Sequence, residues 1–120
     1  NITAVFTLKQ IIDIKKNINK TTPVIISIFC GRIADLGINP EPLVAKTKVM
    51  FKNYKNVKIL WASVREVYNF YQAKKINCDI ITVPPNLNKK IRSKKITPKE
   101  YSINTVKQFF SDGKKSKFKL

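Results

Sequence analysis

The chain has no histidine, three glycines, two cysteines and seven acidic residues in 120 positions. Each shortage removes a class of chemistry. Without histidine there is no imidazole base and no member of the commonest class of metal ligand. The carboxylates are scattered, and no two stand as an acid/base pair. Asp79 begins an apolar run and so faces away from the end where that run leaves a sheet. Cys30 and Cys78 lie far apart without metal-ligand spacing. They read as buried free thiols of a reducing cytoplasm. No apolar run nears the roughly 20 residues that span a bilayer, so no membrane partner is expected. Arginine is short as well: Arg32, Arg65 and Arg92 are the only three among 24 basic residues.

What remains is apolar and basic. Hydrophobic residues make up 43% of the chain, enough for the core of one domain. The formal net charge of +17 suits nucleic acid, anionic surfaces or phosphorylated substrates. Almost all of it is lysine, and isoleucine and asparagine are abundant too. All three have A/T-rich codons, so compositional drift accounts for the bias. Readers of nucleic acid lean on arginine for bidentate contacts, which argues against specific nucleic-acid binding here.

Read in order, Asn1–Phe6 is a strand, and Thr7 caps a helix with Leu8, Ile11, Ile12 and Ile18 on its apolar face. After Thr22-Pro23 comes the run around which the chain is organised, Ile25 to Ile33 (IISIFCGRI). Its first half is a strand buried on both faces, as in a parallel sheet. Residues 34–39 form a loop. Asn39-Pro40 then starts a helix with Leu43, Val44, Thr47, Met50 and Phe51 inward. Val57–Ala62 is the third strand. Ser63 and Glu66 have capping-box spacing ahead of a helix carrying Val67, Phe70 and Tyr71 inward. Cys78–Val83 is the fourth strand, and Asn86 caps a short helix to Arg92. Residues 93–120 comprise a basic linker, a terminal helix from Ser102 that ends at Asp112-Gly113, and a basic tail in which Phe118 and Leu120 dock. The order is β-α-β-α-β-α-β-α, an α/β chain with a parallel sheet: either a small open sheet or half of an eight-fold barrel.

In such folds ligands bind at the carboxyl edge of the strands. The polar residues there are Asn1, Thr3, Ser27, Arg32, Ser63, Arg65 and Thr82. Each has a plain alternative: Ser27 bonding backbone, Ser63 capping a helix, the arginines solvated. Two arginines directly after strand ends, in a chain that otherwise uses lysine, favour a shared anion site. Gly31 beside Arg32 lets backbone approach the ligand. No reacting group accompanies this site. Lys58 is the only lysine within a strand run, and it sits at the wrong end for a Schiff base.

Four stretches, NITAVFTLKQ, IISIFCGRI, ILWASVREV and CDIITVPPNLNKKI, stand in an order and spacing that resemble the second half of a transaldolase, the Schiff-base aldolase family built on a (β/α)8 barrel. The C-terminal YSINTVKQFFSDGKKSKFKL resembles that family's last helix. The resemblance implies that these are strands five to eight of a TIM-type barrel and that the chain is a single partial domain, a carboxyl-terminal half. It implies transfer of a dihydroxyacetone unit from a ketose phosphate to an aldose phosphate through a lysine Schiff base, with no cofactor. On it, Asn1, Thr3, Ser27 and Ser63 match substrate-binding positions, and Arg32 and Arg65 match the phosphate ligands of the GRI and ASxR motifs. Ile28 replaces the usual proline, Glu66 the usual asparagine, and Trp61 a glycine, which narrows the substrate range. The Schiff-base lysine and its acidic partners belong to strands upstream of Asn1. The abrupt start in ITAVF fits such a truncation, and the 120 residues alone are expected to be inactive. Either an N-terminal half-barrel or a second copy is the expected partner.

Overall fold

The computed structural model describes residues 1–93 and 95–116. The expected tail contacts of Phe118 and Leu120 lie outside these residues. The elements are β1 (Ile2–Val5), α1 (Leu8–Asn17), β2 (Val24–Ile28), α2 (Cys30–Asp35), α3 (Glu41–Met50), β3 (Val57–Trp61), α4 (Val67–Lys75), β4 (Ile80–Ile81), α5 (Pro85–Arg92) and α6 (Pro98–Lys115). The four strands form one sheet in the order β1-β2-β3-β4, and every pairing is parallel. The α/β expectation therefore holds, and the sheet is compatible with part of a (β/α) barrel.

Register sorts the side chains. Ile26 pairs with Ile2 and Ile59, and Ile28 with Val5 and Trp61, so all six share the face that the helices cover. With Ile11 of α1 and Val44 of α3 they form the core. β2 is buried on both faces along its carboxyl half, as expected: Ile26 and Ile28 are fully buried on the helix side and Ser27 is buried on the other, whereas Val24 and Ile25 at its start are half-buried. β1 keeps its core residues on one side through a bulge. Ile2 to Val5 spans three residues where β2 spans two, and Ala4 takes up the difference at φ +57°.

β4 is shorter than the six residues expected. Asp79 accepts the Ile59 amide at 2.7 Å where a strand carbonyl would otherwise pair, and Pro84 and Pro85 have no amides to extend the far end. Asp79 also faces Lys48 at 3.7 Å, at the amino end of the sheet, as expected.

Helix starts and helix faces were each read in part. Thr7 caps α1 as expected, in a capping box with Gln10. The inward stripe is Ile11, Ile14 and Ile18; Ile12 is exposed because a step of one leaves that face, and Leu8, at the first position of the helix, is exposed as well. Residues 30–35 form α2 where the strand exit runs straight into a helix, so the loop is confined to the few residues before Glu41. In α3, Val44, Thr47 and Phe51 are buried as expected, and Asn39 accepts the Glu41 amide at 3.0 Å. The cap of α4 is Glu66, with Asn69 as its partner, instead of Ser63 with Glu66. Its buried residues are Asn69 and Ala73, and Tyr71 is exposed. Pro84, not Asn86, precedes α5. α6 starts four residues before Ser102, behind a Thr97–Glu100 capping box, and runs through Gly113 to Lys115. It buries no residue. Its projection gives a radius of gyration of 19.7 Å, against roughly 13–14 Å for a compact chain of this length.

Candidate functional site

The opposite face of the sheet carries the other half of the alternation. Ser27 pairs with Leu60, and the flanking positions Phe29 and Ala62 point the same way. A cavity of about 330 Å³ opens on this face toward the carboxyl edge. Asn1, Thr3, Ser27, Arg32, Ser63 and Thr82 all line it, with Phe29, Leu60 and Ala62 as apolar walls. Six of the seven residues singled out from sequence thus share one cavity.

Ser27 neither bonds backbone nor stands free. Its hydroxyl donates to Asn1 Oδ1 at 2.8 Å, tying β2 to the residue before β1. Ser27 is 3% exposed, so this bond fixes the direction of both side chains into the cavity. Arg32 lies in the short helix α2, its guanidinium carbon 5.1 Å from the Phe29 ring centre. That stacking holds the cation at the rim without neutralising it.

Ser63 sits just past β3 at φ +62°, in the left-handed region, and makes no cap. The crossing beneath it explains Gly31. A Cβ at that position would collide with the Ser63 carbonyl, and the Gly31 amide donates to Ala62 O at 3.3 Å. Gly31 was expected to admit a ligand to the backbone; instead it admits the neighbouring β–α turn.

Arg65 is on the same rim, its Cγ 3.0 Å from where a Gly31 Cβ would lie. It does not line the cavity. Its Nη2 is paired with Asp35 Oδ2 at 3.1 Å, and both side chains are about half exposed. Asp35 was missed in the sequence, although three residues from Arg32 on a helix it shares that residue's side of α2.

Trp61 corrects another expectation. It is fully buried among the core residues, between Leu60 and Ala62, which face the cavity. It therefore does not narrow the substrate space. Its Nε1 is buried without a hydrogen-bond partner among the described residues. Lys58 shares the inner face but lies at the amino end, in register with Ile25 and outside the cavity lining. Cys30 is buried and Cys78 half-buried, and both are free thiols as expected. No helix among the described residues is long and apolar enough to cross a membrane.

Arg32 brings a cation to this lining beside the hydroxyls of Thr3, Ser27, Ser63 and Thr82 and the Asn1 carboxamide, a set chemically able to bind an anion. A family model described as transaldolase/fructose-6-phosphate aldolase matches residues 1–120. Over 75 residues the chain is 40% identical to a probable transaldolase of a Chelativorans species, covering 62% of this chain and 35% of that protein. Over 99 residues it is 35% identical to a probable transaldolase of Nitrosopumilus maritimus, covering 81% and 43%. A probable transaldolase of Brucella ovis is 39% identical over 75 residues, covering 62% and 35%. The chain spans less than half the length of these relatives.

Proposed function

The chain belongs to the transaldolase/fructose-6-phosphate aldolase family, and from that premise we propose that it carries the phosphate-binding half of a transaldolase-like sugar-phosphate enzyme. On this reading β1 to β4 are strands five to eight of an eight-stranded barrel. The inner face that is open here would be the barrel lumen. The free edges of β1 and β4 would take the remaining strands, from an N-terminal half-barrel or a second copy. The observation that carries the reading is the convergence of Asn1, Thr3, Ser27, Arg32 and Ser63 on one cavity at the carboxyl edge.

The roles follow from the geometry. Arg32 binds the sugar phosphate by charge-assisted hydrogen bonds. Arg65 joins it by exchanging Asp35 for phosphate, a short rotation for a half-exposed side chain. Ser63 adds a hydroxyl at the same rim. The Asn1–Ser27 pair and Thr3 hold sugar hydroxyls below the phosphate. The amine that forms the Schiff base would come from outside these 120 residues, because no lysine among the described residues lines the cavity. The enzyme then passes a dihydroxyacetone unit from a ketose phosphate to an aldose phosphate, and its place is the cytoplasm, where Cys30 and Cys78 stay reduced.

A second activity is favoured by the family description itself, which includes fructose-6-phosphate aldolase. The two differ in the acceptor: an aldolase releases dihydroxyacetone, whereas a transaldolase holds it for an aldose phosphate. A non-catalytic phosphate- or nucleic-acid-binding half-barrel rests only on the +17 charge. That alternative predicts DNA binding with a steep salt dependence.

The test is reconstitution. The 120-residue chain alone should show no turnover of fructose 6-phosphate. Co-expressed with an N-terminal half-barrel of the family that carries the lysine, it should restore turnover. Borohydride with substrate should then trap the sugar on that half. In the reconstituted pair, R32A should raise KM by about 1.5–3 kcal/mol of lost binding, the range for a hydrogen bond to a charged group. Turnover by the chain alone, or an R32A pair with unchanged KM, refutes the assignment.

A further inference from the structure

The turn between β3 and α4 carries Ser63 and Arg65 and holds Ser63 at φ +62°, a conformation that side-chain-bearing residues avoid. Neighbours must therefore impose it. Gly31 acts from below, as described. From the other side stands Asn69, in the first turn of α4 and only 2% exposed. Its Oδ1 accepts the Arg65 amide at 3.0 Å and the Glu66 amide at 3.3 Å. Its Nδ2 donates to Gln72 Oε1 at 3.0 Å, and Gln72 Nε2 donates to Glu41 Oε1 at 3.1 Å. Lys75 closes the chain on Glu41 Oε2 at 3.3 Å. A buried carboxamide satisfied in this way has one orientation, because turning it leaves a donor facing two donors.

The molecule uses the device twice. After β1, Gln10 Oε1 accepts the Phe6 amide at 2.8 Å and the Thr7 amide at 2.9 Å. In both turns the third helical residue holds the cap amide and the amide before it. At β1 the held residues are Phe6 and Thr7, away from the cavity. At β3 the held residue is Arg65, and the residue two before it is Ser63.

We infer that Asn69 is the positioning residue of the anion-binding turn. It touches no ligand. It fixes the two amides that set where Ser63 and Arg65 point, and it ties that turn through Gln72 and Glu41 to α3. The inference rests on the phosphate reading of the cavity and can fail separately from it.

The experiment uses the full 120-residue chain and inorganic phosphate as the probe. Binding is followed by amide chemical shifts and the turn by amide hydrogen exchange. R32A should weaken phosphate binding about tenfold, and unchanged binding in both R32A and R65A would overturn the site and this inference with it. Given that arginine dependence, N69A should weaken phosphate binding about five- to tenfold, on the order of 1 kcal/mol. It should also speed exchange at Arg65 and Glu66 while the β2 and β3 shifts stay in place. N69Q should restore both readouts to within about twofold, because Gln10 shows that a glutamine spans the same two amides. A folded N69A chain with wild-type affinity, or N69Q as weak as N69A, overturns the inference. Should N69A fail to fold, N69S, which cannot reach the Arg65 amide, carries the same expectation and the same refutation.

Discussion

Gly31 tolerates less change than any other glycine here, since the other two have open space around the missing Cβ. G31A must push the Ser63 carbonyl away or lift α2 off the sheet. The expected cost is about 2–3 kcal/mol, typical of overpacking a tight contact, measured by urea denaturation. The opposite sign is expected at Ala4. It is exposed and sits at φ +57°, where L-residues are strained by roughly 1–2 kcal/mol. A4G should stabilise the chain by about 0.5–1 kcal/mol after the entropy that glycine adds to the unfolded state. The thiols make a third residue-scale prediction. Burial pushes the Cys30 thiol far above its ordinary value and raises Cys78 as well. A raised folded value favours the neutral form in the native state. The associated stability is therefore present below the ordinary thiol value, about 8.5, and is lost as pH rises past it. At pH 8 a thiol reagent should modify Cys30 only after unfolding. Reaction at Cys30 as fast as at a free thiol would show that the β2–α2 junction opens.

Elements were legible where their signals are local. Thr7 begins a helix because its hydroxyl and Gln10, three positions on, satisfy orphan amides; Thr97 and Glu100 repeat the pattern at α6, where the sequence reading began the helix at Ser102 instead. At α6 the pattern has a pH consequence. The Thr97 amide, then its hydroxyl, hold the Glu100 carboxyl below its usual range. The box therefore supports the helix above the unfolded value, near 4.3, and fails as pH falls through the lower folded one. Helical ellipticity should fall on acidification below about pH 4, and E100Q should flatten that dependence; circular dichroism from pH 6 to pH 2 decides it. The same helix exposes Phe109 and Phe110. F109S and F110S should therefore shift stability by no more than about 0.5 kcal/mol, as surface positions do. A larger loss would mean that α6 packs somewhere in solution. The Ser63–Glu66 reading failed at this scale for a definite reason. Ser63–Glu66 and Glu66–Asn69 both have capping-box spacing, and the two overlapping choices are separated only by where the chain must cross Gly31.

At the scale of the molecule, four parallel strands with helices on one face leave an open inner face with a polar cavity. The core lies on the outer, helix-covered side, whereas the inner face would gain cover if the sheet continued. The free β1 and β4 edges are where it would continue, which is why reconstitution with an N-terminal half is the informative measurement.

The sequence by itself determined the β-α order and the parallel sheet, and it singled out six polar residues that share one cavity. These follow from short apolar runs, cap residues and arginines placed after strand ends, all of which are local. It also carried the family, because four motifs in register over the whole chain are read without coordinates. Only the tertiary structure decided which residues share a face. It turned Trp61 into the core, paired Arg65 with Asp35, joined Ser27 to Asn1 and set Asn69 behind the turn. Each of those depends on register between segments distant in the chain, or on the angle at which a helix leaves its strand. A one-residue shift reverses a strand's faces, and no local pattern fixes it.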